Sequence, residues 1–159
     1  MFVYTDGACS NNGRPNAKAG YGIYFGENNP LNVSKCLLGK QTNNRAELTA
    51  IIEVYPLIES VLADGKKVCI LSDSIYAIRC AGEYGEKCFK NNWGAGKKKP
   101  IPNVTLVKEA FELYQGPSQD GSVVFKHVLA HSGKQDIHSI GNEWADKLAT
   151  TAIKTVRSK

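Results

Sequence analysis

The chain has 159 residues, 42% hydrophobic and 22% charged, a composition that fits one soluble globular domain with a core of its own. Its 20 basic residues exceed its 15 acidic ones, and the net charge of +5 is compatible with a polyanionic partner without requiring one. Five cysteines without a CxxC pair, and no apolar run of about 20 residues, argue against a disulfide framework, a zinc site and a membrane span. We expect one domain over residues 1–159, cytoplasmic or nuclear, since no targeting segment is visible.

Three strands are predicted at the amino end from apolar runs separated by turn residues. These runs are residues 2–5, 20–25 and 33–38. Their short connections favour antiparallel pairing, and the turn-rich stretch 6–15 predicts that the first strand ends at Asp6. Helical periodicity follows over residues 42–62, where Pro56 predicts a kink or split near residue 55.

The second half of the chain alternates strands with helices. The predicted elements are a strand at 67–71, a helix from residue 74, a helix at 102–114, a strand at 122–129 and a helix at 142–156. The run 67–71 is almost continuously apolar, which is typical of a strand buried on both faces. The order βββ-α-β-α-α-β-α therefore predicts an α/β fold with a mixed sheet flanked by helices.

Four carboxylates lie where the folding pattern does not require them. Asp6 ends the first strand, and Asp73 follows the buried strand. Glu47 falls in the apolar stripe of its helix, and Asp146 flanks the stripe of the last helix. Each has an ordinary alternative explanation. Asp6 fits a turn, and Asp73 fits a helix N-cap. Glu47 fits an ion pair with Arg45 or another cation, and Asp146 fits a solvated surface.

Taken together, these acids are able to converge on one site at the sheet. Clustered carboxylates repel one another unless a dication neutralises them. Oxygen ligands without histidine or cysteine select Mg²⁺ or Mn²⁺. Two such ions would clamp the attacking and leaving oxygens of an in-line displacement at phosphorus, so the acids indicate phosphodiester chemistry.

Four sequence blocks resemble the motifs of type 1 ribonucleases H. In chain order they are YTDGAC (4–9), TNNRAEL (42–48), SDS (72–74), and HSG (131–133) with GNEWADKLA (141–149). The similarity extends from Phe2 to about Ala152. It implies a five-stranded mixed sheet, three antiparallel strands followed by parallel additions, flanked by helices. The activity it implies is two-metal hydrolysis of the RNA strand of an RNA–DNA hybrid, leaving 5′-phosphate and 3′-hydroxyl ends.

The resemblance also implies roles in catalysis. The metal-binding catalytic acids would be Asp6, Glu47, Asp73 and Asp146, holding two Mg²⁺ ions or Mn²⁺ in their place. His131 matches a mobile histidine that helps to protonate or release the product. The segment 131–146 is longer than in many family members and includes a second histidine, His138. We expect His131 to follow its strand directly and His138 to lie in mid-loop without an anchor.

Contacts with the nucleic acid are implied in the same way. Asn12, Asn43 and Asn44 match positions that touch the minor groove of the hybrid, where amides bond to 2′-hydroxyls and base edges. Lys40 and Thr42 match a pocket for a DNA phosphate. The alternative for Asn43 and Asn44 is capping of the helix start.

A basic stretch suits the same partner. Residues 87–108 carry six lysines and no acid, with aromatic residues interleaved, and a solvated loop is the alternative reading. The family has a basic protrusion at the matching place. The predicted contacts there are Lys87, Trp93, Lys97, Lys98 and Lys99.

Two other functions are compatible with such a fold. One is a non-catalytic hybrid- or duplex-binding module, and the other is a different polynucleotidyl nuclease, such as a junction resolvase or integrase core. The presence of all four acids argues against the first, and the 42–44 block with the basic protrusion argues against the second. We therefore expect a monomeric ribonuclease H whose partner is an RNA–DNA hybrid, with no membrane partner and no separate hybrid-binding domain.

Overall fold

A central strand organises the sheet in a computed structural model of the chain, which describes residues 1–157 and side chains as far as Lys154. The strands are β1 (Phe2–Ser10), β2 (Lys18–Tyr24), β3 (Val33–Cys36), β4 (Val68–Ser72) and β5 (Val123–His127). Their order is β3-β2-β1-β4-β5. The pairs β1–β2 and β2–β3 are antiparallel, whereas β1–β4 and β4–β5 are parallel. The predicted five-stranded mixed sheet is confirmed.

Helices cover both faces of this sheet. Within residues 1–157 they are α1 (Asn43–Ala63), α2 (Ile75–Cys80), α3 (Glu83–Lys90), α4 (Val104–Gln119) and α5 (Ile137–Arg157), and a 3-10 turn at Asn92–Gly94 follows α3. Val3 packs with α1 and α4, while its neighbour Tyr4 packs with Ala145 of α5. Since neighbouring strand residues point to opposite faces, α1 and α5 lie on opposite sides of the sheet. In the described part of the chain, no helix has the length and hydropathy to cross a membrane.

Two glycines of β2 let α5 lie directly on the strand. A Cβ atom on Gly22 would collide with the carbonyl oxygen of Ala145 and lie 2.7 Å from the Cβ of Leu148. A Cβ atom on Gly20 would lie 3.0 Å from the Cβ of Ala152. A glycine inside a strand often marks such a close backbone approach. The position of α5 over β1 and β2 therefore depends on these missing side chains.

The prediction that β1 ends at Asp6 is wrong. The strand continues to Ser10 because Asp6 and the residues after it pair antiparallel with β2, where Gly22 is the partner of Asp6. The Asp-Gly pair that suggested a turn is overridden by this tertiary pairing. The parallel pairing with β4 does stop just before Asp6, at Thr5 opposite Ser72.

Helix continuity differs from the sequence prediction in two places. Of the kink or split expected near residue 55, the split does not occur, since α1 is one helix through the exposed Pro56, and its buried residues Val54 and Ile58 hold it on the sheet. The single helix expected from residue 74 is two helices, since α2 ends at Cys80 and the chain resumes helical structure only after Gly82. Glycine is a poor helix residue, which favours this break.

The carboxyl-terminal elements differ from the prediction in a way that affects both histidines. Helix α5 begins at Ile137, so His138 lies in its first turn and not in mid-loop. Strand β5 ends at His127, so His131 does not follow its strand directly but sits on a turn beyond it.

We expect Gly22→Ala to lower the free energy of unfolding by about 1–3 kcal/mol, because the added methyl group overpacks the contact with α5. Urea denaturation measures the change. Gly116→Ala in α4 is the matched control, since a Cβ atom there has nothing within 4 Å. That substitution should raise stability by about 0.5–1 kcal/mol, as a helical Gly→Ala change does in open space. Equal effects of the two substitutions would contradict this account of α5 packing.

Candidate active site

Three of the four acids meet where the parallel pairing of β1 and β4 ends. Asp6 and Asp73 each follow the last residue of that pairing. Those last residues, Thr5 and Ser72, are register partners, so the two acids leave adjacent strands at the same level. Glu47 approaches from the second turn of α1. Carboxylate oxygens of Asp6, Glu47 and Asp73 all lie within 4.8 Å of one another.

Gly7 allows Glu47 to reach the strand. A Cβ atom on Gly7 would lie 2.5 Å from the backbone nitrogen of Glu47 and 2.8 Å from its Oε1. The amide of Gly7 donates hydrogen bonds to the carboxylates of Glu47 and Asp6. Any larger residue at position 7 would push α1 away from β1 and separate the two carboxyl groups.

Burial raises the pKa of both Asp6 and Glu47. Each residue is only 4% exposed. For Asp6, desolvation is the largest cause of the raised pKa, followed by a hydrogen bond with Glu47 and repulsion from Glu47 and Asp73. For Glu47, desolvation is again the largest cause, and the hydrogen bond with Asp6 opposes it. Burial and mutual repulsion therefore favour a protonated carboxyl group in this pair when no cation is bound.

Asp146 stands at the margin of this group, on α5. It is half-buried and follows Ala145, which lies against Gly22, the register partner of Asp6. A hydrogen bond with Asp146 contributes to the raised pKa of Asp6. The fold therefore brings all four acids to one end of β1, three of them tightly and one at the edge.

The ordinary explanations for two of these acids do not hold. The N-cap of α2 is Ser74 and not Asp73. Arg45 donates from its Nε to a backbone carbonyl of its own loop, at 2.9 Å. Within the described part of the chain, neither Arg45 nor any other lysine or arginine forms an ion pair with Glu47 or its neighbours. The group is thus an oxygen-only donor set without a protein counter-charge, which suits a divalent cation.

The predicted minor-groove and phosphate contacts gather at the amino end of α1. Thr42 is the N-cap of this helix. The Asn43 amide donates to the side chain of Asn12 at 3.1 Å, which holds the loop after β1 against the helix start. Asn43, Asn44 and Lys40 are exposed. These side chains lie on the same end of α1 as the glutamate of the acid group.

The basic stretch is built on aromatic packing. The half-buried ring of Trp93 lies with its centroid 6.1 Å from that of Phe89 and 6.0 Å from that of Phe111. Lys108 Nζ lies 5.9 Å from the Trp93 centroid. Trp93 thus supports the protrusion more than it presents a free surface. The predicted contacts Lys87, Lys97, Lys98 and Lys99 are exposed.

Sequence reasoning missed two residues beside the acids. Nε2 of His127 donates to the carbonyl oxygen of Asp73 at 3.2 Å, from the strand position that is the register partner of Ser72. The sequence signal for His127 was its position near the end of a predicted parallel strand, where site residues gather. Asn142 is 3% exposed, and its Oδ1 has no hydrogen-bond partner among the described residues. It lies one helical turn before Asp146, which gives it the same helix face.

His131 lies on the turn between β5 and α5. Its side chain is exposed, and its φ of 49° is in the left-handed region, which is uncommon for a residue with a side chain. His138, by contrast, is half-buried and lies against β1. His131 is therefore exposed, whereas His138 is held against β1 by its hydrogen bond with Tyr4.

The chain is similar to known ribonucleases H over almost its whole length. The RNase H family profile matches residues 1–154. Ribonuclease H1 of Mus musculus is 36% identical over 97% of this chain and 50% of its own length. Ribonuclease H of Clostridium botulinum is 32% identical over 96% of this chain and 95% of its own length. The chain spans about half the length of the mammalian relatives.

One solved structure is similar to this chain over nearly its whole length. The PFV RNase H domain aligns with 97% of this chain and 94% of its own chain, at 26% identity and a TM-score of 0.70.

We expect the metal-free protein to lose stability as pH rises, partly because of the buried carboxyl pair. A carboxyl group whose pKa is raised by folding binds more protons in the folded state than in the unfolded state. The free energy of unfolding therefore falls as pH rises above the ordinary pKa range of carboxyl groups. Glu47→Gln should therefore stabilise the protein in EDTA at pH 8, by on the order of 1 kcal/mol, and less at pH 5. Urea unfolding across this range measures it.

Glu59→Gln is the control for this experiment, because Glu59 is an exposed glutamate on the same helix. It should leave the pH dependence unchanged. A pH dependence shared by the wild type and Glu47→Gln would contradict the assignment of the effect to the buried pair.

Proposed function

Since this chain belongs to the RNase H family, and its ribonuclease H1 relatives place it in type 1, we propose that it is an endonuclease that hydrolyses the RNA strand of RNA–DNA hybrids. The observation that carries the proposal is the set of three carboxylates within 4.8 Å of one another, joined at its edge by Asp146. An unneutralised group of this kind is costly to fold and is explained by a bound cation.

The proposed metal ligands are Asp6, Glu47, Asp73 and Asp146. Their oxygen-only chemistry fits two Mg²⁺ ions, with Mn²⁺ as a substitute. When bound, such ions supply Lewis acidity to the attacking water and to the leaving oxygen at phosphorus. A bound cation would favour the ionised forms of Asp6 and Glu47, whose pKa values burial raises. The His127 side chain holds the backbone of Asp73 in position through its hydrogen bond to the carbonyl oxygen.

Proton transfer is proposed for His131. Its exposed ring on the turn after β5 is free to give a proton to the leaving 3′-oxygen of the RNA, so that the products carry 5′-phosphate and 3′-hydroxyl ends. A positioned acid of this kind typically contributes about 10²–10⁴-fold to the rate.

Recognition of the hybrid is proposed for the amino end of α1 and for the basic protrusion. Asn12, Asn43 and Asn44 lie together and offer amides to 2′-hydroxyls and base edges of the minor groove. Lys40 and Thr42 would hold a phosphate of the DNA strand. The lysines of the protrusion hold the backbone without reading the sequence.

We expect Asp6→Asn and Asp73→Asn each to reduce cleavage of a labelled hybrid by about 10³-fold or more, because the amide keeps the shape but removes the charge that holds the ions. Both variants should stay folded and still bind hybrid. Asp64→Asn is the control, since this exposed aspartate lies at the opposite end of α1 from the site.

The same assay tests the metal and the substrate. Mg²⁺ or Mn²⁺ should support cleavage, Ca²⁺ should support it poorly because of its looser coordination, and EDTA should abolish it. Duplex DNA, duplex RNA and branched DNA should be poor substrates. Substantial turnover by both aspartate variants in Mg²⁺ would overturn the site, and preference for branched DNA would overturn the substrate.

We expect replacement of Lys97, Lys98 and Lys99 by alanine to raise KM several-fold while kcat changes less, because uniform binding is lost. The slope of log affinity against log salt should become shallower by about 0.9 for each phosphate contact removed. The matched control is the alanine double variant of Lys66 and Lys67, an exposed basic pair in the turn before β4. An unchanged salt slope in the triple variant would mean that the protrusion is only a solvated loop.

A further inference from the structure

The segment 131–146, which is longer than in many ribonucleases H, contains its own helix start. Asp136 accepts a hydrogen bond at Oδ1 from the amide of Ser139 at 3.0 Å, and its carbonyl accepts one from the amide of Ile140 at 3.0 Å. The hydroxyl of Ser139 donates to Oδ2 at 2.9 Å. The hydrogen bonds from Ser139 hold the pKa of Asp136 below its usual range. Asp136 thus acts as an N-cap, and α5 begins at Ile137, before the matched block 141–149.

The ring of His138 ties this new first turn to the central strand. Its Nδ1 lies 2.9 Å from the hydroxyl of Tyr4 in a side-chain hydrogen bond. The rings of His138 and Phe2 pack in an edge-type arrangement, with centroids 4.9 Å apart and planes at 73°. Tyr4 is only 4% exposed, and a Cβ atom on Gly141 would lie 2.5 Å from its ring. Tyr4 therefore contacts two successive parts of α5.

The same helical turn holds the loop of His131. Ser132, the next residue, donates from its hydroxyl to the hydroxyl of Ser139 at 3.0 Å. Since His131 has an uncommon left-handed backbone, it depends on its surroundings to keep that conformation. The contact between the two serines is the side-chain link from this loop to α5 that the described residues show.

Through Tyr4, the contacts of His138 also extend to the acid group. Tyr4 lies two residues before Asp6 and therefore on the same face of β1. A continuous path of contacts runs from β1 through Tyr4 and His138 to Ser139, and from Ser139 to the His131 loop. The position of the exposed histidine relative to the acids is set along this path.

We propose that His138 is a positioning residue, which fixes the first turn of α5 and the turn carrying His131 against the strand that carries Asp6. The inference rests on the proposed function, because it takes His131 as the group that serves the leaving oxygen. His138 itself acts through Tyr4 and Ser139 and does not contact the reacting atoms.

The first test is kinetic and uses hybrid cleavage. His138→Ala and Tyr4→Phe should each lower kcat about tenfold while KM stays within about twofold, since a displaced proton donor affects the reaction more than binding. The double variant should be about as slow as either single variant, because both break one contact. His138→Asn should recover most of the activity, since its amide reaches the place of Nδ1. Ile137→Ala, at an exposed neighbour in the same turn, is the control.

A second readout separates positioning from proton transfer. The pH–rate profile of His138→Ala should keep the limb governed by imidazole, whereas His131→Ala should lose it. If His138→Ala loses that limb and as much turnover as His131→Ala, the proposal is overturned, because His138 is then the proton-transfer group itself.

The third readout does not need activity. Amide hydrogen exchange at Ser139 and Ile140 should be at least about tenfold faster in His138→Ala and Tyr4→Phe, while exchange at Ala149, further along α5, stays unchanged. Unchanged exchange rates at both amides would overturn the proposal that His138 fixes the first turn of α5. If the wild type cleaves no hybrid, the proposed function fails, and the exchange rates still decide whether His138 holds α5 to β1.

Discussion

Repulsion among buried carboxylates is the constraint on which the rest of the structure depends. Asp6 and Glu47 are almost fully buried. Their carboxylate oxygens lie within 4.8 Å of each other and of a carboxylate oxygen of Asp73. Among the side chains that the structure describes, as far as Lys154, no lysine or arginine forms an ion pair with them. Holding such a group together costs folding free energy, which the packed core on both faces of the sheet has to offset.

Rigid elements hold the acids in place. The parallel pairing of β1 and β4 sets the level of Asp6 and Asp73. Helix α1 brings Glu47 close only because Gly7 has no side chain, and α5 brings Asp146 close because Gly22 has none. The two helices lie on opposite faces of the sheet, so each contributes one acid from its own side. A site built in this way resists the movement that repulsion would otherwise cause.

The sequence predicted the sheet, the buried strand β4 and the convergence of Asp6, Glu47 and Asp73, because apolar periodicity and misplaced charge are both local signals. It failed where distant residues decide. The continuation of β1 beyond Asp6 depends on pairing with Gly22, and Gly7 suggested a turn although it serves the approach of Glu47. The start of α5 was missed although Asp136 followed by Ser139 is a readable cap, because the polar residues before it favour a loop.

Calorimetric titration of Mg²⁺ into the metal-free protein tests most directly whether the carboxyl pair holds a proton that a divalent cation replaces. Repeating the titration in two buffers of different ionisation enthalpy gives the number of protons released. We expect net proton release near neutral pH and an affinity that strengthens as pH rises, with both effects reduced in Asp6→Asn. Binding that releases no proton and has the same affinity at every pH would contradict the coupling of the buried pair to the metal.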